Sequence, residues 1–84
     1  MISFPHQSRV FDPTRRAVRF WGHDSAMEWS FFVTEDALKR LQPNVPPDDL
    51  LLAFDANRAL IYAAAMKAFK QDRRASYELA ATEF

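Results

Sequence analysis

Cysteine is absent from the 84 residues. Its absence removes disulfides, thiolate nucleophiles, iron–sulfur clusters and cysteine-ligated zinc. There is one glycine, so no glycine-rich loop can cradle a phosphate. Net charge is also missing: 11 basic and 11 acidic side chains sum to zero. Non-specific affinity for nucleic acid comes mostly from neutralising phosphates, and a balanced chain is poorly equipped for that. No apolar run approaches the length needed to cross a bilayer, and the opening MISFPHQSRVF lacks the basic start and apolar core of a signal peptide. The expectation is a cytoplasmic protein without a membrane partner, folded as a single domain over 1–84.

What is present suits an ordinary soluble core: 49% apolar and 26% charged residues, with only five prolines. Ile2 and Phe4 flank Ser3, a short alternation that suggests an edge strand ending at Pro5. Asp12-Pro13-Thr14 is a turn signal. Alternation then runs over 17–22 and 27–33, joined by His23-Asp24-Ser25-Ala26, which reads as a β-hairpin. With Asp24 and Ser25 as a two-residue turn, Phe20 faces Trp29 and Val18 faces Phe31. One face then collects Val18, Phe20, Met27, Trp29, Phe31 and Val33, and the other Arg19, Trp21, His23, Glu28, Ser30 and Phe32.

Thr34 can cap a helix with Glu35 and Asp36 in its first turn, where acids complement the macrodipole. Glu35 and Lys39, and Asp36 and Arg40, are spaced i, i+4. That helix must end before Pro43, and 43–47 forms a stiff connector. A long second helix is expected over about 48–71, with Leu50, Leu51, Phe54, Ile61, Ala65, Ala68 and Phe69 on one side. Ala75-Ser76-Tyr77-Glu78-Leu79 alternates again, with Tyr77 and Leu79 inward. The fold class is α+β: a small antiparallel sheet made of an N-terminal strand, the hairpin and a C-terminal strand, with a short and a long helix on one face.

The hairpin AVRFWGHDSAMEWSFFVTEDAL, the helix segment FDANRALIYAAA and the closing SYELAATEF resemble a small bacterial family, domain of unknown function 1488. Together these segments span most of the chain. The resemblance implies the same fold and assigns no chemistry, so no catalytic or binding residue is carried over from it.

No catalytic constellation is visible. His6 and His23 are the only histidines, far apart in sequence and without a helical His-x-x-x-His, so no metal or cofactor is expected. His23-Asp24-Ser25 has the residue types of a hydrolytic triad, but neighbours in a turn point apart, whereas triads converge from distant positions. The acid pairs Glu35-Asp36 and Asp48-Asp49 sit at helix starts for structural reasons. Arg58 falls within the apolar stripe of the long helix. Its stem can pack while the guanidinium pairs with an acid at the edge, and an anion contact there is the sharper alternative.

The remaining surface is the second face of the sheet. With both helices on the other side it presents Arg19, Trp21, His23, Glu28 and Phe32, unless Val10 or Phe11 folds over one of the rings. Aromatics with arginine are favoured in protein interfaces. The expected function is a non-enzymatic interaction module that docks a protein, itself or another, a homodimer being the simplest version. The alternative is a nucleic-acid-binding or regulatory accessory protein using a basic patch of Arg15, Arg16, Arg73 and Arg74, disfavoured by the zero net charge and by Glu28 and Glu78.

Overall fold

Alternation on either side of His23 produces two eight-residue strands that form the middle of the sheet. In the computed structural model, which describes residues 1–46 and 48–84, the chain runs β1 (Arg9–Asp12), β2 (Ala17–Asp24), β3 (Met27–Thr34), α1 (Glu35–Leu41), α2 (Leu50–Ala56), α3 (Arg58–Gln71) and β4 (Ser76–Leu79). A short 3-10 turn, Ala81–Glu83, follows. The strands lie in the order β1-β2-β3-β4. The first three are antiparallel, while β4 joins β3 in parallel. The fold is α+β, with a mixed sheet where an antiparallel one was expected. The helices return the chain to the end where β3 begins, so β4 starts beside Ser30 and runs the same way.

The N-terminal edge is built differently from a simple strand. Ser3 and His23 exchange two backbone hydrogen bonds, each 2.8 Å, in an isolated bridge. The chain then loops out through Pro5, which has no N–H to donate, and rejoins the edge as β1. At the turn after β1, Asp12 Oδ1 accepts from the backbone N–H groups of Thr14 and Arg15 at 2.9 and 3.2 Å, the bonding expected of an Asp-Pro turn.

The β2–β3 turn is Ser25-Ala26, one residue later than expected. Asp24 pairs with Met27, Gly22 with Trp29, Phe20 with Phe31 and Val18 with Val33. Moving the turn by one residue moves each pairing by two, so every side chain keeps its expected face. This register stacks Phe20 on Phe31 with centroids 5.4 Å apart and sets Gly22 opposite Trp29. Ser25 takes φ 58°, a left-handed conformation that glycine adopts more readily.

Thr34 caps α1 as expected, its Oγ1 accepting from Ala37 N–H at 3.1 Å. Glu35 meets Lys39 at 3.5 Å, whereas Arg40 donates to the Phe84 carbonyl oxygen at 3.0 Å. Of the proline-bounded connector, Pro47 lies outside the described residues. The long helix is two helices, α2 and α3, broken at Asn57. Asn57 Nδ2 donates to the Ala53 carbonyl at 2.9 Å and to Gln42 Oε1 at 3.2 Å. The side chain thus takes the carbonyl that its own N–H would bind in a continuous helix, and that N–H turns to Phe54 O at 3.0 Å.

All three helices bury their apolar sides against one face of the sheet. Val18, Phe20, Phe31, Val33, Tyr77 and Leu79 form one cluster with Leu38, Phe54, Ile61, Ala65 and Phe69. The lone glycine admits the N-terminal segment to this core. A Cβ on Gly22 would lie 2.7 Å from Ile2 Cδ1 and 2.8 Å from Phe4 Cε1. Phe4 in turn stacks on Tyr62 at 4.4 Å, with the rings parallel within 1°. Gly22→Ala should therefore destabilise the fold by about 1–3 kcal/mol through overpacking. In urea titrations the double variant with Ile2→Ala should lose less than the two single losses together. Strict additivity would show that the contact does not constrain the segment.

Arg58 sits where the helices part. Its Nη1 donates to Tyr62 Oη at 2.6 Å, and its Nη2 donates to Gln7 O and Asp55 Oδ1, both at 2.8 Å. Asp55 also receives a two-pronged bond from Arg9, at 3.0 and 2.8 Å. Arg58 is thus a brace between α2, α3 and the N-terminal loop, and its carboxylate partner belongs to its own chain. The Arg9 hydrogen bond lowers the Asp55 carboxyl below its usual range, partial burial opposing and Arg58 assisting. A depressed folded-state pKa gives stability that is complete above the unfolded value, about 3.9, and lost as pH falls through the folded one. Asp55→Asn should lower stability at neutral pH and flatten its decline below about pH 4. Arg58→Met should cost about 1–2 kcal/mol at neutral pH. Unfolding curves across pH test both, and an acid limb unchanged in Asp55→Asn would remove Asp55 from the account.

Candidate docking surface on the sheet

Register fixes which side chains share the second face of the sheet. Val10, Arg19, Phe32 and Glu78 form a row across the four strands. Trp21, Ser30 and Ser76 form the next, and Ser3, His23 and Glu28 the one beyond. The helices bury their apolar sides on the opposite face, and Val10, Arg19, Glu28, Ser76 and Glu78 all remain exposed here.

The five residues expected on this face are brought together, with unequal access. Phe32 is buried, only 6% exposed. Neither Val10 nor Phe11 covers it. Val10 stays 54% exposed, and Phe11 pairs with Val18 on the core side. The cover is arginine: the Arg15 guanidinium carbon lies 3.8 Å from the Phe32 ring centroid and that of Arg19 5.6 Å. Arg19 also reaches over Trp21 at 5.0 Å and donates to Ser30 Oγ at 2.9 Å. Such cation–π contacts hold a guanidinium flat on a ring and leave its edge N–H groups for other acceptors. Trp21 is half-buried and occupies the middle row.

His23 and Glu28 close the far end of the face. His23 Nε2 lies 3.3 Å from Glu28 Oε2 without hydrogen-bond geometry. The His6 ring stands edge-on to His23, centroids 5.4 Å apart. The two histidines are therefore spatial neighbours although far apart in sequence. Among the described residues no group of three His, Asp or Glu side chains is arranged to hold a metal.

The four arginines of the expected basic patch have different engagements. Arg15 lies on the sheet face, 3.8 Å from Glu78. Arg16 turns to α1 and grips Glu35 with two bonds of 2.7 Å. That hydrogen bonding lowers the Glu35 carboxyl below its usual range, with desolvation opposing it and the charges of Arg16 and Lys39 assisting. Arg73 folds back over Phe69 at 3.8 Å and donates to the Phe69 carbonyl at 3.0 Å. Arg74 holds Asp72 at 2.9 Å. Arg73 and Arg74 thus act at the end of α3, where exposed carbonyls and the helix dipole favour cations.

A cleft of about 390 Å³ lies between the β1–β2 turn and the start of α2, lined by Phe11, Arg16, Asp48, Asp49, Leu50 and Leu51. Its one cation, Arg16, is held by Glu35, and the two aspartates are exposed. The residue that sequence reasoning placed elsewhere is Arg15: counted in a basic patch, it lies on the aromatic face and shields Phe32. A turn side chain folding onto a ring leaves no periodic signal in the sequence.

No helix among the described residues is long and apolar enough to cross a membrane. No curated protein matches the chain significantly. A solved structure of a protein of unknown function from the DUF1488 family of Shewanella loihica PV-4 superposes with a TM-score of 0.79 at 20% identity, over 93% of this chain and 90% of that one. At that identity the likeness speaks for the fold alone. The family model for DUF1488, described as a protein of unknown function, matches residues 2–80, and the chain belongs to that family.

Proposed function

We propose that this chain is a non-enzymatic, cytoplasmic protein-docking module whose binding surface is the helix-free face of the sheet. One observation carries the reading: the middle of that face holds a half-exposed tryptophan under an arginine, with uncovered side chains of both signs around it. Tryptophan and arginine provide large buried area and directional contacts when a partner excludes water, which is why they concentrate in the energetic centres of interfaces. Mixed charge favours a protein partner, because Glu28 and Glu78 would face the phosphates of any nucleic acid laid across Arg15 and Arg19. Stacking of successive bases needs accessible rings, and Phe32 is shielded.

Cross-linking of the tagged protein in native extract tests the reading. Wild-type protein should acquire discrete protein adducts, and Trp21→Ser should lose most of them while keeping its unfolding midpoint. Adducts that persist unchanged in Trp21→Ser would overturn the proposal. Binding to single-stranded oligonucleotides that weakens steeply with added salt would favour the nucleic-acid alternative instead.

A further inference from the structure

Resting on that docking reading, we infer that the partner of the sheet face is a second copy of this chain, related by a two-fold axis running across the strands near Trp21. The rows of the face support this directly. Trp21, Ser30 and Ser76 form the middle row. On one side of it lie Arg15 and Arg19 with Glu78, and on the other lies Glu28 beside His23. With Glu78 set against Arg15 and Asp12 bonded to backbone N–H groups of its own turn, Arg19 is the unpaired cation of one end, and Glu28 gives the other a carboxylate. A two-fold axis along the middle row places Trp21 near its own symmetry mate. It also lays the Arg19 end of each copy over the Glu28 end of the other, so one patch is complementary to itself, as an isologous interface requires.

Arg19 is suited to this role because its charge has no acidic partner within the chain. Among the described residues, no carboxylate forms an ion pair with it. The hydrogen bond to Ser30 and the two rings hold it in place. Glu28 is exposed, and among the described residues its ion-pair neighbour is the His23 ring nitrogen at 3.3 Å.

The size of the face sets the strength. Two strands of eight residues and two of four present about 400 Å² in flat projection. That is about half the area per partner of a standard stable interface. The dimer is therefore weak and assembles as concentration rises.

Sedimentation equilibrium from about 10 µM to about 1 mM decides the matter. The weight-average mass of the wild type should climb from 9.8 kDa towards twice that value. Arg19→Glu and Glu28→Arg should each remain monomeric, because each sets like charges against each other in both symmetric contacts. An equimolar mixture of the two variants should associate again. In the mixed pair the carboxylate introduced at position 19 of one copy meets the guanidinium introduced at position 28 of the other, and the native Glu28–Arg19 pair forms at the other end. A wild type monomeric throughout, or charge variants that associate as well as wild type, would overturn the inference. Amide shifts of the wild type recorded over the same concentrations supply a check independent of the variants' folding. They should move at Trp21, Ser30 and Arg19, and movement confined to α3 would also overturn it. A monomer that keeps Trp21-dependent cross-links to other proteins would remove self-association and leave the docking reading standing. Loss of both would remove both.

Discussion

The close approach at Gly22 organises much of the molecule. A side chain there would occupy the space taken by Ile2 and Phe4. Because it is empty, the N-terminal segment reaches the helix-covered face and stacks Phe4 on Tyr62. Tyr62 accepts from Arg58, and Arg58 reaches Gln7 and Asp55. Asp55 holds Arg9 at the start of β1. One missing Cβ thus links the hairpin, the N-terminal loop, both helices flanking Asn57 and the edge strand. With 84 residues, a chain this small buries a limited fraction of its surface, and bringing its first residues into the core adds area it could not gain elsewhere.

The same arrangement decides which sheet face remains open. Every helix is committed to the Phe20–Phe31 side, so among the described residues the second face is covered by its own side chains, by the β1–β2 turn and, at His23, by His6 of the N-terminal loop. Arg15 comes from that turn and, with Arg19, shields Phe32 from water. Arginine suits this because its planar, weakly hydrated head lies flat on a ring while its N–H groups keep contact with solvent or a carboxylate. The face is therefore neither a bare apolar patch that would promote aggregation nor a fully polar surface. It is an aromatic layer under charged cover, open most clearly at Trp21.

Local signals made a large part of this legible in the sequence. Thr34, Glu35 and Asp36 marked the start of α1, and the alternation of Tyr77 and Leu79 marked β4. The assignment of Trp21 and Phe32 to the second face survived a misplaced turn because a two-residue change of pairing conserves the period of a strand. What was not legible depends on contacts distant in sequence or on competition within one residue. Asn57 inside an apolar helical pattern reads as a mild interruption, and only the carbonyl of Ala53 and the side chain of Gln42 turn it into a break. Arg9 and Asp55 are 46 residues apart. The parallel pairing of β4 depends on where three helices return the chain, which no local pattern records. For Arg73 and Arg74 the choice between a patch facing solvent and cations closing a helix is made by the Phe69 ring and carbonyl and by Asp72.

Zero net charge takes on a different meaning once the partners are known. Asp55, Glu35, Asp72 and Glu78 each face an arginine of the same chain, so part of the charge balance lies in local pairs that brace the fold. Exposed pairs of this kind add little stability individually. Their larger effect is to mute the local field where they form, so that groups without such a partner weigh more in how the protein meets others. Arg19 and Glu28 are such groups, on the same sheet face and on opposite sides of Trp21. A surface whose uncompensated charges are opposite in sign and separated by an aromatic residue complements an inverted copy of itself better than it complements a uniformly charged polymer. The balance that weakens a nucleic-acid reading therefore supports one in which the chain recognises a protein surface like its own.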